Sequence, residues 1–573
     1  MRFLKKRILA VFEMCLIISL LPLSSCHHDE PEQTNDERLN IVLIMLDDMG
    51  FSDLGCYGGE IKTPNIDRLA ASGLTFTQFY NAGRCCPTRA SLLTGLYPHQ
   101  AGIGHMTIDL GREGYRGDLN KNSVTIAELL KNTGYQTFMV GKWHVSKYFE
   151  EGQPDENWPL QRGFERFYGT LSGSGSFWQP AGLMTGNDFV EAKGDFYYTE
   201  VLTAHVVEYI DEASGKNRPF FLYAAYTAPH YPLHARREVI DKYAGVFAGG
   251  WDTLRQKRYE RLVDLGLINP GWSLPPRDEM SIPWVEEPNK KWQQNRMEVY
   301  AAMIDQVDQG VGEMISTLKE KGELDNTLVM LFSDNGGSAE GHLYGKIERL
   351  NIPWKSKLIP THTKDGVKVT PGDFPGLNLG PDSTYGSYGV RWANVSNTPF
   401  RLHKSWVHEG GISSPFIVHW PEESKATKGV RHQPAHVIDI LPTCLDIAGA
   451  DYPKEWDGNP ITPMQGKSLL PIFDNRDKEE RTLFWEHEGN RAVRKGKWKL
   501  VSEYPGFWKT MKSYPKNGAW ELYDMEADRT EMNDLAEHFP DIVKSLAKEW
   551  EQWAEKCGVL PWDTFDKSKE DPI

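Results

Sequence analysis

Cysteine is scarce in this sequence, with seven in 573 residues. The full set is Cys15, Cys26, Cys56, Cys85, Cys86, Cys444 and Cys557. Beyond the N-terminal segment, which holds the first two, the set is odd and sparse, with no C-x-x-C pair and no spacing typical of zinc sites. A framework of disulfide bonds is therefore excluded as the basis of the fold, even in an oxidising compartment.

Positive charge is also in deficit. The sequence has 64 Lys and Arg against 79 Asp and Glu, a formal net charge of −15. Nucleic-acid binding relies on Lys and Arg facing a phosphate backbone, so this balance argues against nucleic acid as the main partner. An anionic small substrate stays compatible, because a local cationic pocket can form inside an acidic protein.

Apolar runs long enough to cross a membrane are missing. The run at residues 8–23 is interrupted by Glu13 and follows four basic residues, a pattern typical of an export signal. It ends in LSSC, residues 23–26, which resembles a bacterial lipobox. We expect a lipoprotein-type signal peptide over 1–26 with a lipidated Cys26, or alternatively an ordinary cleaved signal.

The polar residues 27–38 then form a tether of disordered composition. This predicts an exported protein, periplasmic or anchored at the outer membrane of a Gram-negative bacterium. Membrane contact is expected only through the N-terminal lipid.

Strand and helix patterns alternate along the rest of the chain. Continuous apolar strands are predicted within 39–48, 123–144, 218–230 and 326–337, with capped helices between them. Such strands are typical of a mainly parallel sheet that is buried on both faces. The sequence therefore predicts an α/β domain over 39–480, with irregular stretches at 235–295 and 351–400. Short alternating segments and a last helix predict a smaller antiparallel subdomain over 481–573.

Polar side chains follow each predicted strand. They are Asp47, Asp48, Lys142, His144, His230, Asp334 and Asn335. Ligands bind at the carboxyl edge of open α/β sheets, so we expect these side chains to meet in one crevice.

The sequence GRCCPTRASLLTG, residues 83–95, contains two of the few cysteines at adjacent positions. A disulfide between neighbours would be strained, because their Cβ vectors diverge. The segment resembles the signature of the type I sulfatases, C-x-P-x-R-x-x-x-L-T-G. In that family a maturation enzyme oxidises the first Cys to Cα-formylglycine. The resemblance implies that Cys85 becomes this 3-oxoalanine and that Cys86 fills a free position; a helix start that contains Cys by chance is the alternative.

A hydrated aldehyde suits sulfate ester hydrolysis, because it carries two hydroxyls on one carbon. One attacks sulfur to form a sulfo-enzyme intermediate, and deprotonation of the other expels sulfate. Arg89 lies about one helical turn from Cys85, where it can stabilise the deprotonated diol.

Four oxygen-bearing side chains form the expected metal site, namely Asp47, Asp48, Asp334 and Asn335. Such ligands suit calcium or magnesium rather than zinc. Taken alone, the same residues are typical of helix caps and turns. The resemblance implies that they bind one Ca²⁺ per chain.

Four basic residues complete the expected site. Lys142 and Lys404 are expected to hold the sulfuryl oxygens. His144 fits the base that deprotonates the second hydroxyl, and His230, together with Lys404, can protonate the leaving oxygen. Four other histidines are left as structural or substrate-proximal, namely His99, His105, His403 and His408.

The resemblance implies an alkaline phosphatase-like fold and a sulfuric ester hydrolase of the arylsulfatase-like branch. Expected substrates are sulfated glycans, such as sulfated galactose or amino sugars, and aryl sulfates. The alternative is a phosphonate monoester or phosphodiester hydrolase of the same superfamily, and a third hypothesis is a non-catalytic glycan-binding lipoprotein. Candidate cleft residues are Trp178, Trp392, Trp485, Glu486, His487 and Arg491.

Overall fold

A computed structural model describes residues 38–147, 152, 156–341, 358–420, 428–476, 480–504 and 518–565. The predicted signal peptide, its Cys26 and most of the tether lie outside the described residues. Among the helices of the described part, none has the length and apolarity needed to cross a membrane.

A large mixed sheet forms the centre of the protein. Its strands are β1 (Asn40–Leu46), β2 (Leu74–Tyr80), β3 (Gln136–Lys142), β4 (Arg166–Thr170), β5 (Leu183–Thr185), β6 (Asp188–Phe189), β7 (Phe220–Ala225), β8 (Thr327–Ser333), β11 (Ser413–His419), β12 (Gly429–Arg431) and β13 (Ala435–His436). The order is β12-β2-β11-β8-β1-β7-β3-β4-β5-β6, with β13 also paired to β2. The five strands β8-β1-β7-β3-β4 are parallel; the sequence predicted four of them, β1, β3, β7 and β8, and not β4.

The central strand β1 is apolar because both of its faces are covered. Its alternate side chains join two separate apolar clusters, Val42, Ile44 and Leu46 in one and Ile41, Leu43 and Met45 in the other. Helices form the outer layers over these clusters. They are α1 (Pro64–Ser72), α2 (Cys85–Thr94), α3 (Ile126–Asn132), α4 (Tyr198–Ala213), α5 (Arg237–Ile240), α6 (Gly250–Asp264), α7 (Lys290–Glu320), α8 (Gly389–Ser396), α9 (Glu409–Ile412), α10 (Ile440–Ala448) and α11 (Leu470–Phe473).

Two parts of the fold differ from the sequence prediction. The stretch 235–295, expected to be irregular, contains the 15-residue helix α6, whose buried face includes Trp251 and Leu254. Strands β2 and β11 were not predicted. Both carry polar residues, but Thr75 and Thr77 of β2 are buried because β12 and β13 cover that edge.

A second, antiparallel sheet lies in the C-terminal part, as predicted. It consists of β16 (Thr482–His487), β17 (Asn490–Lys495), β18 (Trp498–Ser502) and β19 (Glu521–Asp524) in that order. Helix α12 (Pro540–Cys557) packs on it through Leu546, Trp550 and Trp553. From Arg38 onward the chain forms one compact unit, and the domain boundary at residue 480 stays a prediction. Four two-residue strands pair outside these sheets, β9 (Thr370–Pro371) with β10 (Thr384–Tyr385) and β14 (Glu455–Trp456) with β15 (Asn459–Pro460).

Candidate active site

The carboxyl ends of the parallel strands hold the predicted polar residues. Asp47 and Asp48 follow β1, Lys142 ends β3, and Asp334 follows β8. Parallel strands end at the same edge, so hydrogen bonds connect these segments directly. The Asp48 backbone N–H donates to Asp334 Oδ1 at 3.2 Å, and Asn335 Nδ2 donates to Asp48 Oδ1 at 2.7 Å. The predicted acidic set is therefore assembled in one place.

Helix α2 points its N-terminus into the same crevice. Cys85 is its first residue, and the preceding Arg84 has an extended backbone. The side chain of Arg89, one turn further on, reaches Asp334 Oδ2 at 2.8 Å and Asp47 Oδ2 at 3.5 Å. The free N–H groups and dipole of a helix N-terminus favour negative charge, so this end of α2 suits an anionic group.

Three cations pair with the three carboxylates. Lys142 contacts Asp47 Oδ2, and Lys404 Nζ lies 2.9 Å from Asp48 Oδ1. Arg89 pairs with Asp334, as described above. All six side chains are almost fully buried. Lys404 comes from the loop between α8 and α9, so the structure brings this distant residue to the strand ends.

Two oxygens of the acidic set have no hydrogen-bond partner within the described residues, although both are buried. They are Asp47 Oδ1 and Asn335 Oδ1. Burial raises the pKa of Asp47 to about 6 against the opposing charge of Lys142, and raises that of Asp334 to about 8. A hard divalent cation would give these two oxygens a partner and would stabilise the ionised forms of Asp47 and Asp334. The residues therefore fit such an ion.

The two predicted catalytic histidines are both neutral at pH 7. Burial lowers the pKa of His144 and that of His230 to about 4. His144 has a positive φ of 53°, and a Cβ at the adjoining Gly173 would lie 2.1 Å from His144 Cε1. His230 Nε2 lies 3.4 Å from Lys404 Nζ and 3.5 Å from Asp48 Oδ2. The site therefore offers two neutral imidazoles that can accept a proton.

Comparison with known families decides what this crevice belongs to. Residues 39–450 match the family model described as Sulfatase, and residues 400–556 match the one described as N-sulphoglucosamine sulphohydrolase, C-terminal. The chain belongs to the sulfatase family. It is therefore a sulfuric ester hydrolase, as the sequence predicted.

Two relatives extend over most of this sulfatase. An uncharacterised sulfatase of Schizosaccharomyces pombe is 34% identical over 563 residues, covering 92% of this chain and 96% of the relative. An arylsulfatase of Klebsiella aerogenes is 33% identical over 463 residues, covering 78% of this chain and 94% of the relative. Among solved structures, Ps i-CgsB in complex with k-i-k-neocarrahexaose has the same fold, with a TM-score of 0.62, 24% identity and coverage of 90% of this chain and 93% of that chain. Sulfatases of this family generally use a formylglycine and a divalent metal.

The two adjacent cysteines of the sulfatase differ in acidity. The neighbouring Cys86 and the charge of Lys142 hold the pKa of the Cys85 thiol well below its usual value, although burial opposes this. Burial and the contact with Cys85 raise the pKa of Cys86 well above its usual value. Cys86 Sγ lies 3.2 Å from His144 Nε2. Of the two side chains, Cys85 is the more reactive one.

Glu340 and Arg84 were missed by the sequence analysis. Glu340 Oε2 lies 3.0 Å from Lys404 Nζ, and Glu340 Oε1 lies 2.8 Å from Arg84 Nη2. Arg84 and Lys404 hold the pKa of Glu340 well below its usual range despite its burial. This carboxylate therefore fixes the position of Lys404. The available signal was only its location in the loop that begins with Asn335.

Several predicted cleft residues are instead part of the core. Trp392 is fully buried against Trp251 and Trp284, and Trp485 packs under Tyr80. They were chosen because a Trp near a cleft can stack on a sugar ring. Such side chains cannot stack on a sugar, because their faces already contact protein.

Most of the other predicted cleft residues also contact protein groups. Arg491 stacks on Trp520 at 4.1 Å, and Glu486 Oε2 pairs with His99 Nε2 at 2.7 Å. Trp178 is partly buried and donates to Gly380 O. His487 alone of these has ring nitrogens with no hydrogen-bond partner among the described residues.

Proposed function

We propose that this sulfatase is a calcium-dependent enzyme that releases inorganic sulfate from sulfated carbohydrates by means of a formylglycine derived from Cys85. The observation that carries the proposal is the position of Cys85. It begins a helix whose N-terminus faces three cations and an oxygen-rich set of carboxylates at one sheet edge.

The charge balance supports a divalent cation in the acidic set. When all three carboxylates are ionised, Asp47, Asp48 and Asp334 contribute −3 and Arg89, Lys142 and Lys404 contribute +3, so these six groups sum to zero. A bound Ca²⁺ would leave the set at +2. That excess favours an anionic sulfate ester, whereas the same groups without the ion offer it no net attraction.

The two absent groups have simple roles in this proposal. Asp47, Asp48, Asp334 and Asn335 would hold calcium, which supplies positive charge at the reacting sulfate. An aldehyde hydrate at position 85 supplies a nucleophilic hydroxyl and a second hydroxyl that can be deprotonated.

The remaining work falls to side chains of this chain. Lys142 and Lys404 orient the sulfuryl oxygens, because both are buried cations at the end of α2. His144 accepts the hydroxyl proton, and Arg89 stabilises the oxygen that results. Lys404 is the protonated member of its pair with His230, and it supplies the proton that this pair delivers to the departing sugar oxygen.

A carbohydrate substrate is favoured over a phosphonate or phosphodiester. The second matching family model is named for a sulfated glucosamine, and the first is a sulfatase model. Sulfated galactose or amino sugars are therefore our proposed substrates. Aryl sulfates are expected to react as artificial esters.

The test is a panel of substrates given to the chain after co-expression with a formylglycine-generating enzyme. The panel holds defined sulfated monosaccharides, an aryl sulfate and an aryl phosphodiester, all in calcium. We expect sulfate release from one class of sugar, and Cys85→Ala is expected to lower the rate roughly 10³-fold or more. Cys86→Ala is the matched control, which should still gain the aldehyde by mass spectrometry and keep its activity.

Two results would overturn the proposal. Faster cleavage of the diester than of every sulfate would assign the chain to the phosphohydrolase branch. Undiminished sulfate release by Cys85→Ala would remove the proposed nucleophile.

We also propose that the mature protein is a lipoprotein attached through Cys26. The support is the LSSC sequence after a basic and apolar segment. Metabolic labelling with a radioactive fatty acid should mark the wild type and leave Cys26→Ala unlabelled. Equal labelling of both would refute the anchor.

A further inference from the structure

We infer that His105, His487 and Glu488 form a second metal site, suited to zinc or a similar first-row ion, beside the catalytic crevice. This inference does not depend on the proposed substrate, on calcium or on the formylglycine. It rests on the side chains of three residues that the fold brings together.

The three residues come from two distant parts of the chain. His105 lies in the connection between α2 and α3, whereas His487 ends β16. Glu488 and Gly489 form the two-residue turn between β16 and β17, with φ of 50° and 83°. Turns of this kind favour Asn or Asp followed by Gly, so a glutamate here is unusual. Its position needs a reason other than turn formation.

The distances fit a single ion. His105 Nδ1 lies 3.2 Å from Glu488 Oε1, and His487 Nε2 lies 3.6 Å from the same oxygen. The three residues each offer one ligand atom within 4.8 Å of the others. Ligands about 2.0–2.1 Å from a tetrahedral zinc are separated by roughly 3.3 Å, which is close to the two distances from the histidine nitrogens to Glu488 Oε1.

His487 supplies the independent observation that points to a ligand. It is fully buried, yet within the described residues neither of its ring nitrogens has a hydrogen-bond partner. Buried polar groups without partners are uncommon, and each needs an explanation such as an ion or water. A metal bound at Nε2 would satisfy the nitrogen that faces Glu488.

The ionisation of the cluster is the one that metal binding requires. Burial lowers the pKa of His487 to about 3, so its imidazole is neutral. Burial opposes ionisation of Glu488, but the nearby His105 and Arg84 help to hold its pKa below the usual range. Metals bind neutral imidazole and ionised carboxylate, so no proton has to be displaced from these two ligands near pH 7.

The donor set separates this site from the oxygen-only set at the strand ends. Two imidazoles and one carboxylate suit zinc, which commonly takes three protein ligands and leaves a fourth position open. The site also adjoins the reaction centre, since the Sδ of Met106, the next residue, lies 3.7 Å from Cys86 Sγ. A metal here would join the loop after α2 to the C-terminal sheet at the edge of the crevice.

The experiment must distinguish this site from two others that can bind metals. The background is therefore the full chain with the double substitution Cys85→Ala/Cys86→Ala, which removes the thiols near His144. It is kept in excess calcium, which fills the oxygen-only site at the strand ends. Cobalt(II) is added as a spectroscopic probe, followed by zinc. We expect one equivalent of cobalt with the strong visible absorption of a four-coordinate ion, displaced by one equivalent of zinc.

Variants in the same background assign the ligands. His105→Asn or His487→Asn should abolish this equivalent, while His487→Cys should retain it and add a thiolate-to-cobalt charge-transfer band. His99→Asn is the matched control, because His99 is a buried histidine paired with the neighbouring Glu486, and the described residues offer this pair no third ligand. It should bind cobalt like the background. Melting temperatures without metal check that each variant is folded.

The inference is overturned if the background protein takes up no cobalt in calcium. It is equally overturned if folded His487→Asn gives an unchanged spectrum, or if His487→Cys gives no charge-transfer band. Zinc that raises the melting temperature of the background and of His99→Asn, but not of His487→Asn, would support it.

Discussion

At the scale of single residues, environment decides what each side chain can do. Cys85 and Cys86 are adjacent and chemically identical, yet their pKa values move in opposite directions. His144 is another example, because burial lowers its pKa to about 4 and so keeps the imidazole neutral at pH 7.

When release of sulfate limits turnover, the pH profile of kcat should therefore report on His144, because its proposed step follows departure of the sugar. A proton acceptor works in its neutral form, which is present above a pKa of about 4. Activity should fall as the pH decreases through this value, well below the pH at which an ordinary histidine would be protonated. His144→Ala should lower kcat roughly 10²–10⁴-fold and remove this acidic limb. An acidic limb centred near pH 6.5 would contradict this assignment.

Residues within motifs were predictable from the sequence, and their supporting partners were not. Cys85 and Arg89 belong to one continuous signature, and Asp47 and Asp334 each end an apolar strand. Glu340 acts through Lys404 and Arg84, which are distant in the sequence. No local pattern marks a carboxylate whose function depends on such partners.

At the scale of elements, strands with a uniform apolar pattern were predicted and mixed ones were missed. Strand β1 reads as buried because both faces are apolar. Strand β2 alternates Thr with Phe, which is typical of a half-exposed edge, but additional strands cover it. The number of neighbours around a strand is a tertiary property, which its own sequence does not contain.

A buried ion network connects the C-terminal sheet to the main sheet. Lys499 of β18 lies 2.9 Å from Glu409 Oε1 in α9 and 2.8 Å from Glu531 Oε1. Arg529 Nε lies 2.7 Å from Glu409 Oε2 and also donates to Ser413 of β11. Because α9 closely follows Lys404, this network also fixes the loop that carries a site residue.

Replacing Lys499 by Met should destabilise the protein strongly. The change leaves two buried carboxylates without one of their cations, which costs about 3–5 kcal/mol of unfolding free energy. The measurement is the shift of the urea midpoint of the full chain. Lys497→Met is the control, because Lys497 pairs with Asp524 at the surface and its loss should not move the midpoint. Equal shifts for the two variants would show that the network contributes no more than a surface pair.

At the scale of the whole molecule, a negative net charge is compatible with a local cluster of buried cations. The chain carries −15 overall, but Arg89, Lys142 and Lys404 are concentrated at one sheet edge. The net charge of the whole chain therefore does not predict the charges gathered at this one edge.

Removal of calcium should affect both activity and stability. Chelation should abolish sulfate release and lower the melting temperature, because three carboxylates then share a buried site without the ion. Calcium at 100 times its Kd should restore about 2.7 kcal/mol of stability. Asn335→Ala is the comparison, since its melting temperature should respond less to calcium. Full activity after chelation, or recovery with zinc instead of calcium, would refute the oxygen-only site.

The burial of Cys85 has a consequence for the order of events during biosynthesis. Its side chain is 2% exposed, and it is the first residue of a helix in which every residue is buried. If Cys85 is converted to formylglycine as proposed, the oxidising enzyme can reach its side chain only before this helix is packed into the fold. The catalytic group would then have to be formed on a chain that has not yet folded. A molecule that folds before this oxidation would remain inactive.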